Sequence, residues 1–540
     1  MLSVRKFFIL WKGVILVSLA LQADGLTYRY PDQYSPLFQN LSLSLYQADK
    51  VALLGANGAG KTTLLNLLSG EVALTEGRVV RHVKPYVLHQ EDLLSGEGRV
   101  RDALLTSFPD LGALWKDLRR MERSGVPDPL RYAETLGTFS ERGGYEVQQR
   151  LEAEATLLEL PPDVLERPIS FLSGGERRLL RLVAAFVRPQ GLYLLDEPTN
   201  YLDERGVAYL ETRLQETSAA CLIVSHDRQF LDNTVTGVWE LVRGQLETYS
   251  GTYSSFRHTK EVRHTEQVRK SQKLTRDIAQ LKEQERTYKV WGARKEKEKS
   301  GAADKGFIGA RAARLTKRGI QAKERLRDRA ERLEQEKPWV EKRYSVAFET
   351  PEVPSGVCLS AQVPGLAEGS SLHLLLTWGE RVALRGRNGS GKTTFLEALL
   401  TCAEDEVEDD ANVQWDSRAI VGYLPQRWDD AHDALPVAER FSQAQRDESR
   451  TLLGALGVPG DRLGVPLGTL SEGQKRKVRL VQVMLRRPNV LVLDEPTTHL
   501  DYMSIEKLES ALTNFPGTVL LVSHDRYLRE RVAERVVELG

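Results

Sequence analysis

Cysteine is scarce in this chain of 540 residues, which holds only Cys221, Cys358 and Cys402. The three lie far apart, and two of them lie beside apolar runs. A disulfide framework or a paired-cysteine metal site is therefore excluded, and isolated thiols of this kind fit a reducing compartment. We predict buried or bystander thiols in a cytoplasmic protein.

Long apolar runs and net charge are also lacking. The 75 basic residues balance 75 acidic ones, and no stretch offers the roughly 20 consecutive apolar residues that a membrane-spanning helix needs. The N-terminus resembles a signal peptide only superficially, because Lys12 interrupts its apolar run. We expect residues 1–14 to be an extension, disordered or due to an early start codon, and the first strand to begin at about Ile15.

A glycine loop dominates the first half of the chain. Between an apolar run and a helical pattern, Gly55 to Thr63 reads Gly-Ala-Asn-Gly-Ala-Gly-Lys-Thr-Thr. A strand, a glycine loop and a helix in this order form a phosphate-binding loop, whose backbone N–H groups and helix N-terminus face the phosphates. Lys61 is expected to reach the terminal phosphates and the Thr62 hydroxyl to bind Mg²⁺. The predicted nucleotide-binding residues here are Gly55, Asn57, Gly58, Gly60, Lys61, Thr62 and Thr63.

The loop recurs from Gly386, with its lysine 331 positions after Lys61. Three more motifs recur 298 residues later in the chain. The chain therefore contains an internal repeat, with 33 extra residues in its first half. These fall at about 111–144 and are predicted to form a short helical arm, either a docking element or a tolerated insertion. The second set of predicted nucleotide-binding residues is Gly386, Asn388, Gly389, Gly391, Lys392, Thr393 and Thr394.

Each half also has an apolar strand that ends in Asp-Glu, at Asp196-Glu197 and Asp494-Glu495. The aspartate can hold Mg²⁺, while the glutamate can polarise the attacking water as a general base. An earlier strand in each half ends in a glutamine whose amide can approach the metal. The predicted metal-binding residues are Thr62, Gln90, Asp196, Thr393, Gln426 and Asp494.

An aromatic residue precedes the first loop only. Tyr30 lies 25 positions before Gly55, where its ring can stack on adenine or can simply pack in the core or at the surface. We predict the stacking role, and find no matching aromatic residue around 360–365 before the second loop.

The connector at 257–343 carries 27 Lys/Arg against 14 Asp/Glu, a net charge of +13, whereas the rest of the chain carries −13. Charges at three- and four-residue spacing predict a helix to about Lys299, a tip at 300–309 and a second helix from Ala310 to about Lys337, before Pro338. The basic side chains of such a hairpin are predicted to bind the phosphate backbone of RNA. The alternative is that these charges simply face solvent. The predicted RNA-binding residues are Arg311, Arg314, Lys317 and Arg318.

The order of glycine loop, glutamine, Leu-Ser-Gly-Gly, Asp-Glu-Pro and Ser-His-Asp, present twice, resembles the ATP-binding cassette superfamily. Two cassettes joined by a long charged connector resemble its ABC-F subfamily of ribosome-associated ATPases. The resemblance implies an α/β fold, with P-loop NTPase domains of the ABC type at 15–257 and 343–540 joined by a helical hairpin linker at 258–342. It also implies that each ATP lies between the glycine loop of one half and the signature of the other. The implied signature residues are Ser173, Gly174, Gly175, Ser471, Glu472 and Gly473, and the implied catalytic residues are Glu197, Glu495, His226 and His524.

The second signature departs from this family pattern, because Glu472 replaces its first glycine. A carboxylate then lies near the phosphates of the site that contains Lys61, unless it turns outward. We expect the neighbouring Lys475, Arg476 and Lys477 to offset its charge.

The resemblance implies an ATPase that binds the ribosome in its ATP-closed form, reaches the exit-site and P-site tRNA region through the linker, and leaves after hydrolysis. Implied cofactors are ATP and Mg²⁺, and implied partners are rRNA and P-site tRNA, with no stable membrane subunit and with cassette pairing inside a monomer. The output is translational regulation or protection from antibiotics, and the Leu-Ser-Glu-Gly-Gln signature leans weakly toward protection. The rival is the ATP-binding subunit of a membrane exporter, which has little use for a basic hairpin; a DNA-repair cassette would usually add zinc-finger cysteines.

Overall fold

The computed structural model forms two compact units, Met1–Tyr253 with Ser345–Gly540, and Ser254–Tyr344. We call the two parts of the larger unit the first and the second half. The residues that the structure describes are 7–10, 13–16, 18–31, 34–90, 93–95, 98–126, 128–188, 190–299, 307–338, 340, 344–364, 371–386, 390–401, 412–426, 428 and 434–539.

The first half is a mixed α/β domain. Its strands are β1 Phe7–Leu10, β2 Gly13–Leu16, β3 Leu19–Tyr28, β4 Phe38–Tyr46, β5 Lys50–Gly55, β6 Glu76–Arg81, β7 Tyr86–Leu88, β8 Leu192–Asp196, β9 Ala220–Val224, β10 Gly237–Val242 and β11 Gln245–Ser250. Its helices are α1 Lys61–Ser69, α2 Val100–Thr106, α3 Gly112–Arg123, α4 Pro129–Glu141, α5 Gly144–Leu157, α6 Gly174–Val187, α7 Glu204–Glu216 and α8 Arg228–Thr234.

The smaller unit and the second half follow. The long helices are α9 Tyr253–Lys299 and α10 Phe307–Glu336. The strands of the second half are β12 Val357–Pro364, β13 Ser371–Thr377, β14 Arg381–Arg385, β15 Asn412–Trp415, β16 Val421–Leu424, β17 Val490–Asp494, β18 Thr518–Val522 and β19 Arg535–Glu538. Its helices are α11 Lys392–Thr401, α12 Arg446–Ala455, α13 Glu472–Met484, α14 Tyr502–Thr513 and α15 Arg526–Val532.

Each half is built on its own mainly parallel sheet with a similar strand order, and in the first half β10 and β11 pair antiparallel. The strand order is β11-β10-β5-β9-β8-β7 in the first half and β16-β17-β18-β14-β19 in the second. The middle strands β8, β9, β17 and β18 are buried along their whole length, as expected of parallel strands covered on both faces. Smaller antiparallel sheets, β4-β3-β6 and β13-β12-β15, lie beside them. The α/β fold with two P-loop domains is therefore confirmed.

This topology gathers the motifs. Parallel strands point the same way, so the loops that follow β5, β7, β8 and β9 meet at one edge of the sheet. The segments after these four strands are, in the same order, the glycine loop, the glutamine, the Asp-Glu pair and the Ser-His-Asp motif. The second half repeats the arrangement after β14, β16, β17 and β18.

Several elements begin elsewhere than the sequence indicated. Ile15 lies in β2, which pairs with β1, whereas the first strand of the larger antiparallel sheet begins at Leu19. The expected tip at 300–309 is partly wrong: 307–309 belong to α10, because apolar and alanine neighbours compensate for the helix cost of Gly309, about 1 kcal/mol. Residues 300–306 lie outside the described part. The segment at 111–144 folds as α3 and α4.

Within the described residues, no helix is both long enough and apolar enough to cross a membrane.

Candidate nucleotide-binding sites

The first glycine loop leads directly into α1. Gly60 precedes that helix with φ 97°, a conformation that favours glycine, and a Cβ there would lie 2.7 Å from the Phe38 ring. The Lys61 Nζ donates to the carbonyl oxygens of Gly55 at 2.9 Å and Ala56 at 3.3 Å. The loop is thus pre-shaped around its lysine.

The second loop has the same form where it is described. The Lys392 Nζ donates to the Gly386 carbonyl at 2.8 Å, and Gly391 has φ 81°. Thr393 and Thr394 lie in the first turn of α11. The predicted residues Asn388 and Gly389 lie outside the described part of the chain.

In each half the threonine after the lysine meets the aspartate that ends a central strand. The Thr62 Oγ1 donates to the Asp196 Oδ2 at 2.6 Å, and the Thr393 Oγ1 to the Asp494 Oδ2 at 2.7 Å. These oxygen donors suit Mg²⁺. Among the described residues no cluster of three or more His, Cys, Asp or Glu is placed to hold a metal, so a cation here would also need hydroxyl, amide or phosphate oxygens.

The glutamate after each aspartate has an unusual backbone. Glu197 has φ 46° and Glu495 has φ 48°, in the left-handed region that non-glycine residues rarely adopt. The Oε1 atoms of both are buried without a hydrogen bond. They face the Nε2 atoms of His226 and His524 at 3.4 and 3.5 Å. Each half therefore aims an unpaired carboxylate oxygen and an imidazole at one spot.

Burial controls the protonation of this group. Burial, reinforced by the charge of Asp196, raises the pKa of Glu197 to about 8. Burial and the positive charge of Lys61 lower the pKa of His226 to about 3. The Glu197–His226 contact is therefore not an ion pair near pH 7. Burial likewise raises the pKa of Glu495.

The signature serines cap helices. Ser173 precedes α6 and accepts a hydrogen bond from the Glu176 N–H at 3.2 Å, while Ser471 precedes α13 and accepts one from the Gln474 N–H at 3.3 Å. Both form capping boxes, in which the side chain of the residue three positions later accepts a hydrogen bond from the backbone N–H of the serine. Helix N-termini of this kind attract anions.

The second signature lies against the first glycine loop. A Cβ on Gly473 would lie 2.3 Å from the Asn57 Nδ2, so only glycine fits. The Asn57 side chain donates to the His499 carbonyl at 2.9 Å, and its backbone N–H donates to the Asp501 Oδ2 at 3.3 Å. We call the site of Lys61, Asp196 and Glu197 the Lys61 site, and its counterpart in the second half the Lys392 site.

One cavity of about 810 Å³ is lined by both halves, within the size range of small-molecule sites. Buried, unpaired polar atoms point to a ligand there: the Oε1 atoms of the two glutamates and the Nδ1 of His226. The predicted residues that line it, beyond those of the Lys61 site, include Tyr30, Gln90, Ser173, Gly174, Gly175, Gln426 and His524.

Tyr30 lies at the edge of this cavity. Its hydroxyl is 2.5 Å from the Thr63 Oγ1, and its ring meets Tyr28 edge to face at 5.3 Å. The tyrosine is therefore anchored next to the glycine loop, as a ring that stacks on a base would need to be.

Glu472 lines the same cavity. Its side chain is 61% exposed and pairs with Lys475 at 3.0 Å. The expectation that Arg476 and Lys477 also offset it is wrong, because Arg476 donates to main-chain carbonyls and Lys477 pairs with Asp501.

Two buried arginines were missed by the sequence analysis as site residues. Arg178 donates to the carbonyl oxygens of His89 at 2.8 Å and Glu197 at 3.0 Å. Arg476 donates in the same way to Pro425 and Glu495. Both lie five positions after a signature serine. That repeated spacing was the available signal.

Ion pairs also cross between the halves. Arg228 is 2.5 Å from Glu509, and both side chains are almost fully buried. The equivalent pair, Arg526 and Glu211, is 3.9 Å apart and more exposed. The halves thus meet through unequal contacts.

A second pair of equivalent positions differs in chemistry. Glu204 begins α7 and pairs with Arg385 and with Arg529 of the second half. Tyr502 begins α14, is buried, and donates to the buried Glu240 of the first half at 2.5 Å. One contact is ionic and the other is a hydrogen bond to a carboxylate.

In the smaller unit, α9 and α10 pack together. Ile278 and Ala330 are buried, and Lys282 pairs with Glu334 at 3.3 Å. The predicted RNA-binding residues Arg311, Arg314, Lys317 and Arg318 lie in α10, and their side chains lie outside the described part.

Comparison with known sequences follows the same repeat. The family described as ABC transporter matches residues 38–200 and 370–498. The tylosin resistance ATP-binding protein TlrC of Streptomyces fradiae is 33% identical over 96% of this chain and 97% of its own length. The energy-dependent translational throttle protein EttA of Haemophilus influenzae is 29% identical over 93% and 89%.

Among solved structures, the archaeal ribosome recycling factor aABCE1, in complex with the archaeal ribosomal stalk protein aP1, has a TM-score of 0.57 at 19% identity. The match covers 95% of this chain and 87% of that chain. At this identity the likeness shows a shared tandem fold.

Proposed function

Since this chain belongs to the ABC-F subfamily of the ATP-binding cassette superfamily and is an ATP hydrolase, we propose that it binds the ribosome when ATP closes its two cassettes and leaves after hydrolysis. The observation that carries the ATP-driven closure is the contact of Gly473, His499 and Asp501 with the first glycine loop. A ligand on that loop touches both cassettes, so it favours the closed state over the open one.

At the Lys61 site, each residue has a distinct task. Lys61 exchanges its carbonyl contacts for phosphate oxygens, and Tyr30 stacks on the base. Thr62, Asp196 and Gln90 would hold Mg²⁺, which when bound would neutralise phosphate charge and polarise the phosphoryl oxygens. In its ionised form, whose fraction rises as the pH approaches the Glu197 pKa of about 8, the Glu197 carboxylate would accept the proton of the attacking water. The neutral His226 would donate to the terminal phosphate. Thr393, Asp494, Gln426, Glu495 and His524 do the same at the Lys392 site.

Two observations support the ribosome as the partner. Relatives along nearly the whole chain are named for translational throttling and for antibiotic resistance. The linker carries +13 in a chain of zero net charge, and counterion release rewards basic groups that lie on a phosphate backbone. We propose that the linker enters the exit site and contacts P-site tRNA, so that the protein modulates translation or protects the ribosome from an antibiotic.

The test uses a double variant, Glu197→Gln with Glu495→Gln. It should bind ATP, lose turnover by at least about a hundredfold, and sediment with purified ribosomes in ATP. The matched control, Lys61→Ala with Lys392→Ala, should neither bind ATP nor sediment. Sedimentation that is the same for both variants, or co-purification of a membrane permease in place of ribosomes, would refute the proposal.

A further inference from the structure

The two signature helices differ at one buried position. Six residues after the signature serine, α6 carries Leu179 and α13 carries Lys477. Lys477 is 2% exposed, and its Nζ lies 2.7 Å from the Asp501 Oδ2. A fully buried lysine is rare unless it is paired, so the second half has an ion pair that the leucine of the first half cannot form.

Asp501 connects this lysine to the other cassette. Its Oδ1 accepts from the Ser504 N–H at 2.8 Å and so caps α14. Its Oδ2 accepts from the Asn57 N–H, in the glycine loop, at 3.3 Å. A chain of contacts therefore runs from the second signature helix through Asp501 to the loop that precedes Lys61.

We propose that Lys477 is a positioning residue for ATP hydrolysis at the Lys61 site only, where it holds Asp501 against the glycine loop across the cassette interface. This rests on the proposed function, which assigns Lys61 and Glu197 to one site closed by the second signature.

The cost of an unpaired buried charge gives Lys477 its effect. Without the lysine, Asp501 would be a buried carboxylate that has lost its ion-pair partner, and water would reach it most easily when the cassettes part. Closure over the Lys61 site would then be less favourable. In the first half, Asp203 caps α7 through the Gly206 N–H at 3.0 Å, with Leu179 at the place of the lysine.

Electrostatics agree with this placement. Burial alone would raise the pKa of Asp501, but the charge of Lys477 and hydrogen bonds hold it well below its usual range. Burial has the largest effect on the pKa of Lys61 and lowers it. The charge of Asp501 raises this pKa, and the charge of Lys477 lowers it. Burial also lowers the pKa of Lys392, and the carboxylates of Glu495, Asp494 and Asp203 raise it.

The test measures each site separately in the full-length protein. In Glu495→Gln only the Lys61 site keeps its base, and in Glu197→Gln only the Lys392 site does. Adding Lys477→Leu should lower kcat/KM at the Lys61 site by at least about tenfold, since it strands a buried charge, and should change the Lys392 site by less than about twofold.

Three further variants separate positioning from folding. Lys477→Arg keeps the charge and should retain most activity. Asp501→Asn, which still caps a helix, should recover part of the loss when combined with Lys477→Leu. Leu179→Met, at the equivalent place, should leave the Lys61 site unchanged. An equal loss at both sites, or no loss at either, overturns the inference.

Failure of the proposed function would look different. If Glu197→Gln with Glu495→Gln hydrolysed ATP normally, the assignment of the bases would be wrong. If that double variant is inactive and Lys477→Leu has no site-specific effect, only the role of Lys477 is wrong.

Discussion

Arg178 and Arg476 join the signature helix of each half to the ends of two strands. A guanidinium carries five N–H donors in a fixed plane, so one side chain reaches carbonyl oxygens at the Asp-Glu pair and either at the glutamine or at the residue before it. Lysine could not bond both carbonyl groups with one planar set of donors. Within each half, a shift of the signature helix must therefore move the backbone beside the catalytic glutamate.

The residues of the motifs were predictable from the sequence, because their chemistry needs fixed residue types at fixed spacing. The role of Arg178 was not predictable, because a lone arginine in a charged helix usually faces water. The partners of Arg476 are main-chain carbonyls, which have no signature in sequence. The repeat at 298 positions was the one available indication.

Glu472 permits a sharp test at this scale. Replacing it with glutamine removes a mostly exposed charge near the phosphates, so KM for ATP at the Lys61 site should fall by about two- to threefold at low salt, and by less at high salt. The measurement is steady-state hydrolysis in the Glu495→Gln background. Glu472→Asp, which keeps the charge, is the control. An unchanged KM at all salt concentrations would mean that the carboxylate does not sense ATP.

At the scale of elements, the strands and helices around the motifs were predictable and the ion pairs between the halves were not. Buried apolar runs such as β8 and β17 identify central parallel strands, and the glycine loops fix where α1 and α11 begin. The pairing of α8 with α14 depends on Arg228 and Glu509, 281 positions apart. No local pattern relates residues that far apart.

The cross-half ion pairs can be measured by a double-mutant cycle. Arg228→Met alone should weaken ATP-driven closure by about 1–3 kcal/mol, because the buried Glu509 loses one cationic partner but keeps Arg531 at 2.6 Å. Arg228→Met with Glu509→Gln should recover part of this. The readout is the apparent ATP affinity of closure, followed by fluorescent labels on the two cassettes.

The equivalent pair is the control. Arg526→Met should cost less than about 1 kcal/mol, because Arg526 and Glu211 are 3.9 Å apart and partly exposed. Equal costs for the two arginines would contradict the asymmetry that the structure shows.

At the scale of the whole molecule, the linker gives the third prediction. Replacing Arg311, Arg314, Lys317 and Arg318 with glutamine should weaken ribosome binding and make the plot of log affinity against log salt shallower by about 3 units, if each contacts one phosphate. Sedimentation with ribosomes over a salt series measures this.

A matched variant removes four exposed basic residues near the middle of α9 instead. They are Arg269, Lys270, Lys273 and Arg276. This variant should keep the original slope. A slope that changes equally in both variants would mean that overall charge matters and that the beginning of α10 has no special role.

The hydrogen bond from Tyr502 to Glu240 has a consequence for how copies of this protein meet. The position equivalent to Tyr502 in the first half is Glu204. Two first cassettes from different molecules would therefore bring a glutamate against Glu240 in a buried place, with like charges and no cation between them. Such a mismatch discourages pairing of two first cassettes, so this interface favours a first cassette opposite a second one.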